Sequence, residues 1–400
     1  MRDAPTSDQD AELPGVAAAP SRKTLLWVIL PLLAFVGAIA VLIATNPLAR
    51  FDNGTPPVEN IAFERTILDG GGLRVLVRAG GAEPMTIAQV QVDDAYWQFK
   101  QDPPGPLPRG ASAWIQVPFP WVLGEAHAVK LVTTTGATFL HEIPVAVATP
   151  VADRSSLLSQ AILGIFVGIV PVAVGLMFYP ALRGVGQRGM TFLLALTVGL
   201  LAFLLVDAMG DAFELAGEAA PIFQGNAMVV LAAAASFLIL MAIGRRNGAP
   251  RGLALATYIA LGIGLHNLGE GLAIGAAFAA GAVGLGTFLV FGFTLHNVTE
   301  GIGIAAPILR EKVAPWVFAA LVLLAGGPAV LGLWIGSLAF APQWSALALA
   351  IGAGAILQVI VEVTALLRRR DEARLFSPAA MTGLAAGVGF MYLTAMLVKI

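Results

Sequence analysis

The sequence predicts an all-α polytopic membrane protein: an eight-helix bundle preceded by one N-terminal anchor helix and a small all-β sandwich domain outside the membrane. Three observations carry this prediction. Only 12% of the 400 residues are charged and 58% are hydrophobic, with a mean hydropathy of +0.82, whereas a soluble domain carries roughly 25% charged residues. The apolar residues gather into nine long runs, and ~20 helical residues at ~1.5 Å each cross a ~30 Å hydrocarbon layer. Between the first run and the second, residues 50–150 change to Pro, Gly, Thr and alternating apolar and polar residues.

The same composition excludes several functions. A net charge of −2 with a pI near 6.1 leaves no basic footprint for nucleic acid. With no cysteine, thiolate catalysis, disulfides and CxxC metal sites are excluded, so a metal site must use nitrogen and oxygen ligands.

In chain order, residues 1–23 read as a disordered cytoplasmic leader ending in Ser21-Arg22-Lys23. Residues 24–45 form an uncharged run too long for most signal-peptide cores of about 7–15 residues, which favours an uncleaved anchor. In 50–150, strand patterns run over 73–77, 85–92, 113–117, 127–133 and 138–147, broken by turns at Gly70-Gly71-Gly72, Gly80-Gly81 and Pro103-Pro104-Gly105. About six or seven short strands suggest an immunoglobulin-like or cupredoxin-like sandwich. It holds His127, His141 and Met85, read as structural rather than ligating; His141-Glu142 begins an HExxH string that lacks its second histidine.

Eight further spans follow in 157–400: about 157–180, 190–213, 225–243, 253–276, 284–309, 314–340, 344–366 and 378–399. The connectors that fall inside, with the β-domain outside, hold Arg183 and Arg188, then Arg245, Arg246 and Arg251, then Arg310 and Lys312, then Arg368, Arg369, Arg370 and Arg374. The outer connectors between these spans, at 215–224, 277–283 and 341–344, hold no Lys or Arg, so each of these loops obeys the positive-inside rule. This puts the N-terminus in the cytoplasm and the β-domain and C-terminus outside, as expected of a multi-pass protein of the cell (inner) membrane. Trp316 and Trp344 read as interfacial anchors.

The chemistry concentrates in two consecutive spans. Leu265-His266-Asn267-Leu268-Gly269-Glu270-Gly271 and Leu295-His296-Asn297-Val298-Thr299-Glu300-Gly301 share the pattern LHNxxEG. On a helix, residues four apart share a face, so each histidine stands over its glutamate. His266 lies ~20 Å into its span and His296 ~18 Å into the antiparallel one, so both motifs fall near the midplane. From Leu253 to Leu309, Glu270 and Glu300 are the only formally charged residues. A charge at a helix centre costs roughly 2.5–3.5 kcal/mol on insertion scales, so unpaired carboxylates there point to a proton or a cation. Imidazole with carboxylate suits Zn²⁺, with Mn²⁺, Fe²⁺ and Cd²⁺ as further candidates. Asp207, Asp211 and Glu214 form an acidic stripe that reads either as a metal-gathering entrance or as a solvated helix end. Glu362 reads either as an exit ligand or as an ion-pair partner of Arg368 or Arg369.

Together these residues resemble the ZIP metal-ion transporters, in particular the bacterial GufA-like branch, whose fourth and fifth helices carry HNxxEG-type motifs. The resemblance covers 157–400, including Gly352 to Glu362 as a seventh helix; the anchor and β-domain lie outside it. It implies an eight-helix fold with both ends outside and a divalent-metal site of His266, Asn267, Glu270, His296, Asn297 and Glu300. Two departures stand out: Gly269 and Thr299 replace the proline common before the motif glutamate, and the sixth span has no acid. The second argues for one metal rather than a bridged pair.

The expectation is therefore a transporter, not an enzyme, that carries divalent metal, zinc foremost, to the cytoplasm. It holds no permanent cofactor; its partners are the cation and the lipid bilayer, and a homodimer is compatible with the reading. An intramembrane zinc hydrolase and a metal sensor using the β-domain are the competing readings.

Overall fold

The computed structural model describes residues 22–47, 57–149, 153–246, 248–279, 283–339, 341–370 and 376–398. The predicted leader lies outside them apart from Arg22 and Lys23, as does Arg374.

The described residues of the N-terminal unit form one helix, α1 (Arg22–Thr45), with Pro31 inside it. Its run from Thr24 onward is apolar on every face, the pattern of a helix that meets lipid or protein all round. The second unit holds the β-domain and the remaining helices.

Eight antiparallel strands build the β-domain: β1 (Ile61–Asp69), β2 (Gly72–Ala79), β3 (Ile87–Val92), β4 (Ala95–Trp97), β5 (Lys100–Asp102), β6 (Ser112–Val117), β7 (His127–Thr133) and β8 (Thr138–Ile143). They form two four-stranded sheets ordered β1-β2-β6-β5 and β4-β3-β7-β8. Period-2 alternation sends Leu73, Val75 and Val77 of β2, Ile115 and Val117 of β6, and Val129 and Leu131 of β7 into one core. Gly72 is required at its turn: its φ is +114°, and a Cβ there would sit 2.4 Å from the Val117 carbonyl oxygen. Asp93 and Asp94 join β3 to β4 with both φ values positive, as a two-residue type I′ hairpin requires. β1 is absent from the strand patterns because its register shifts between Phe63 and Arg65, and a bulge interrupts alternation. β8 stops at Ile143, short of the predicted Val147, one residue before Pro144, which cannot donate to a ladder.

The helical part begins with α2 (Arg154–Gly164), capped by Asp153, whose carboxylate accepts from the Ser156 N–H at 2.7 Å. A π-helical turn (Ile165–Ile169) leads into α3 (Val170–Met177) and the short α4 (Tyr179–Leu182). Then follow α5 (Gln187–Glu218), α6 (Gly225–Arg245), α7 (Gly252–Ala279), α8 (Val283–Ala305), α9 (Pro315–Gly326), α10 (Pro328–Ala339), α11 (Pro342–Arg370) and α12 (Pro378–Val398). Among the described residues seven helical segments are long and apolar enough to cross a membrane, α2–α4 and α9–α10 each counting as one, and the apolar stretches of α1 and α12 are shorter.

Two of the segments are broken mid-length. In the first, Pro171 has no N–H to give the carbonyl of Val167, and the π turn sits there. In the sixth, Gly326-Gly327-Pro328 separates α9 from α10. α8 packs along α3 beside the first break, and α7 packs along α10 beside the second. α5 likewise pairs with α12, and α6 with α11. These pairings exchange when the first three segments are swapped with the last three and α7 with α8. An offset of five segments reverses direction, so the bundle has the pattern of an inverted repeat around α7 and α8.

Candidate metal centre

Both motifs lie at the centre of this arrangement, and all six of their polar side chains are buried. The motif glycines set the approach of each helix to its broken neighbour. A Cβ on Gly271 would sit 2.1 Å from the Ala329 carbonyl oxygen of α10, and one on Gly301 would sit 2.3 Å from that of Val172 on α3.

The asparagines then reach into the breaks. Asn267 Nδ2 donates to the Ala325 carbonyl at 3.0 Å, and Asn297 Nδ2 donates to the Val167 carbonyl at 3.1 Å. Each acceptor is a carbonyl at a break, which must find another donor or lie buried and unpaired at about 1–3 kcal/mol. With its nitrogen held, each amide directs its oxygen elsewhere, and neither Oδ1 has a hydrogen-bond partner among the described residues.

The carboxylates play unequal parts, which the spacing alone does not reveal. Sequence places His266 over Glu270 and His296 over Glu300. In the structure Glu270 gathers both imidazoles: its Oε1 accepts from His296 Nε2 at 2.7 Å and lies 3.0 Å from His266 Nε2, while Oε2 meets Asn297 Nδ2 at 3.3 Å. Glu300 lies beside Asn267, yet neither of its oxygens makes a hydrogen bond of ordinary geometry among the described residues. One atom from each of His266, His296 and Glu300 lies within 4.8 Å of the others. A tetrahedral ion with bonds of ~2.1 Å would separate its ligands by ~3.4 Å, so a closure of roughly an ångström completes such a site.

The orphaned oxygens here, on Glu300, Asn267 and Asn297, are all acceptors. Two ring nitrogens, His266 Nε2 and His296 Nδ1, are likewise buried there without a hydrogen bond of ordinary geometry among the described residues, and imidazole with carboxylate and amide oxygen is the donor set of a borderline divalent metal.

The remaining sequence candidates fall into two groups. Asp207, Asp211 and Glu214 line a cavity of about 730 Å³ that also reaches His296. Glu362 is buried and ion-paired, but with Arg245 of α6 at 3.1 Å rather than with Arg368; an arginine across a helix interface is not visible from spacing along one chain. His127 and Met85 have structural surroundings in the β-domain, whereas His141 also lines the cavity that reaches His296. His127 bonds Asp93 at 2.8 Å, His141 bonds Thr66 at 2.8 Å while stacking on Phe63, and Met85 is core. Burial pushes the His141 imidazole below its ordinary pKa, so it is neutral at pH 7.

Sequence reasoning missed the breaks as partners of the motifs. Pro171 and Gly326-Gly327-Pro328 were the available signals, since both remove helical donors from apolar spans. No protein-family model matches the chain, and no curated protein matches it either.

Proposed function

We propose that this chain is a multi-pass membrane transporter that moves a divalent transition metal, zinc foremost, through a midplane site on α7 and α8. In this reading α2–α12 form eight spans of a ZIP-like bundle, α1 is an additional anchor with its N-terminus in the cytoplasm, and the β-domain and C-terminus lie outside. The observation that carries it is the cluster of orphaned acceptors: both oxygens of Glu300 and the amide oxygens of Asn267 and Asn297, buried beside two imidazoles.

The geometry supports a chemical sequence. Without cation, Glu270 is the acceptor for the imidazole of His296 and lies against that of His266. A metal must take a deprotonated ring nitrogen, so loading releases protons. The helix breaks supply what transporters use at such depths, irregular backbone facing a polar interior. Rocking of one set of segments against the other about α7 and α8 would expose the site to each side in turn.

Uptake into proteoliposomes tests the proposal, with Zn²⁺, Mn²⁺, Fe²⁺, Cd²⁺ and Mg²⁺ offered to the unaltered protein and to Glu300→Gln. Transition-metal uptake that falls at least about 100-fold in the variant, with Mg²⁺ excluded, supports it. Equal leak of all five ions in both proteins contradicts it.

A further inference from the structure

The β-domain stands on the helices through a built contact. Glu64, 3% exposed, receives Arg78 at 2.5 and 3.0 Å and Gln343 Nε2 at 2.9 Å from the start of α11. Arg65 donates to the Leu338 carbonyl near the end of α10. The Arg78 guanidinium lies 5.4 Å from the centre of the Phe223 ring, in the turn between α5 and α6. A buried carboxylate with three such donors is fixed in place, because losing Arg78 leaves its charge uncompensated and losing Gln343 leaves an acceptor short of a donor.

Beside this seating lies the half-open cavity of about 730 Å³. One wall is β-domain, from Phe63 to Thr66 and from His141 onward, and the other is helical, with Asp207, Asp211 and Glu214 on α5. Six acidic side chains line it against one arginine, Arg65. Low-dielectric walls carrying one sign of charge focus the field and concentrate counter-ions, raising capture rates by ~10–10³.

An acidic lining alone does not define a site, and the second observation is at the inner end. His296 also lines this cavity; it is 1% exposed, and its Nδ1 has no hydrogen-bond partner of ordinary geometry among the described residues. The acidic space therefore reaches a member of the central cluster. On the β-domain side the same wall presents His141, a second imidazole, and the exposed carboxylate of Glu142.

We propose that the β-domain is part of the cation path: His141 and Glu142 join Asp207, Asp211 and Glu214 to form an outer vestibule that takes a hydrated divalent cation before it reaches His296. This inference rests on the transport reading for its direction but not for its existence, since binding can be measured without transport. Carboxylates and one imidazole hold such an ion with waters retained, so the vestibule binds more weakly than the centre and responds to salt.

Mn²⁺ titration of the purified full chain, followed by electron paramagnetic resonance, tests it beside uptake measurements. The expected result is two classes of bound Mn²⁺. The tighter class vanishes in Glu300→Gln, and the weaker, salt-sensitive class vanishes in Asp207→Asn/Asp211→Asn/Glu214→Gln and weakens several-fold in His141→Ala/Glu142→Gln. Glu142→Gln alone, at an exposed position, guards against a folding defect and should weaken that class by a smaller factor. In uptake, the β-domain variants should raise the half-saturating metal concentration about 3–10-fold at unchanged maximal rate, the behaviour of lost capture. A weaker class indifferent to both β-domain variants overturns the vestibule while leaving the central site standing. If the unaltered protein moves no metal, transport fails, and the vestibule then stands or falls on whether the β-domain variants remove the weaker Mn²⁺ class.

Discussion

The two halves of the centre are built alike but finished differently. On each side an HNxxEG helix presses its glycine against a broken neighbour and ties its asparagine to a carbonyl at the break: α7 to Ala325, α8 to Val167. The glutamates then diverge: Glu270 accepts from His296 Nε2, lies 3.0 Å from His266 Nε2 and meets Asn297, whereas Glu300 has no hydrogen bond of ordinary geometry among the described residues. Repeated sequence thus produces one organising carboxylate and one waiting carboxylate. The lesson is that a pseudo-symmetric frame can hold an asymmetric site, because one carboxylate can serve both imidazoles and leave its counterpart free.

This contrast can be broken in order of effect. Enlarging a motif glycine should do most damage: Gly271→Leu or Gly301→Leu forces a side chain into a carbonyl 2.1 or 2.3 Å away, and loss of the monodisperse folded protein in size-exclusion chromatography is the expected outcome. Next, Glu300→Gln should cut metal affinity at least about 100-fold, whereas Glu270→Gln should cut it about 10–100-fold, as losing a supporting partner typically does. Isothermal titration of Zn²⁺ would compare the two directly. Equal losses would show that the carboxylates are interchangeable.

Asn267→Ala and Asn297→Ala sharpen the symmetric side of the comparison. Each orphans one carbonyl, so each should destabilise by about 1–3 kcal/mol in thermal melts, with Asn297→Ala the larger because it also removes the contact to Glu270. At the small end, Lys130→Ala in the β-domain removes an ion pair with Asp94. Exposed pairs of this kind contribute little, so melting temperature and uptake should both stay unchanged.

How much of this was legible beforehand depends on range along the chain. Nine apolar runs and two LHNxxEG strings are short-range patterns, and they predict helices and mark the buried polar residues directly. The sheets were visible where alternation was clean, as in β2 and β6, and invisible in β1, where the bulge between Phe63 and Arg65 breaks the period. Partners across the fold were not legible: Arg245 for Glu362, Val167 for Asn297, and the capture of both imidazoles by Glu270 each depend on tertiary packing. The seating of Glu64 on Gln343, 279 residues away, is the extreme case.

The most direct test of the central claim is X-ray absorption at the zinc edge on the Zn²⁺-loaded full chain and on Glu300→Gln and His266→Ala/His296→Ala. The account predicts a mixed shell with two imidazole nitrogens at ~2.0–2.1 Å and oxygen beside them. The imidazole scattering should disappear in the histidine double variant, and the oxygen contribution should fall in Glu300→Gln. An all-oxygen shell, or a spectrum unchanged by either substitution, would contradict it.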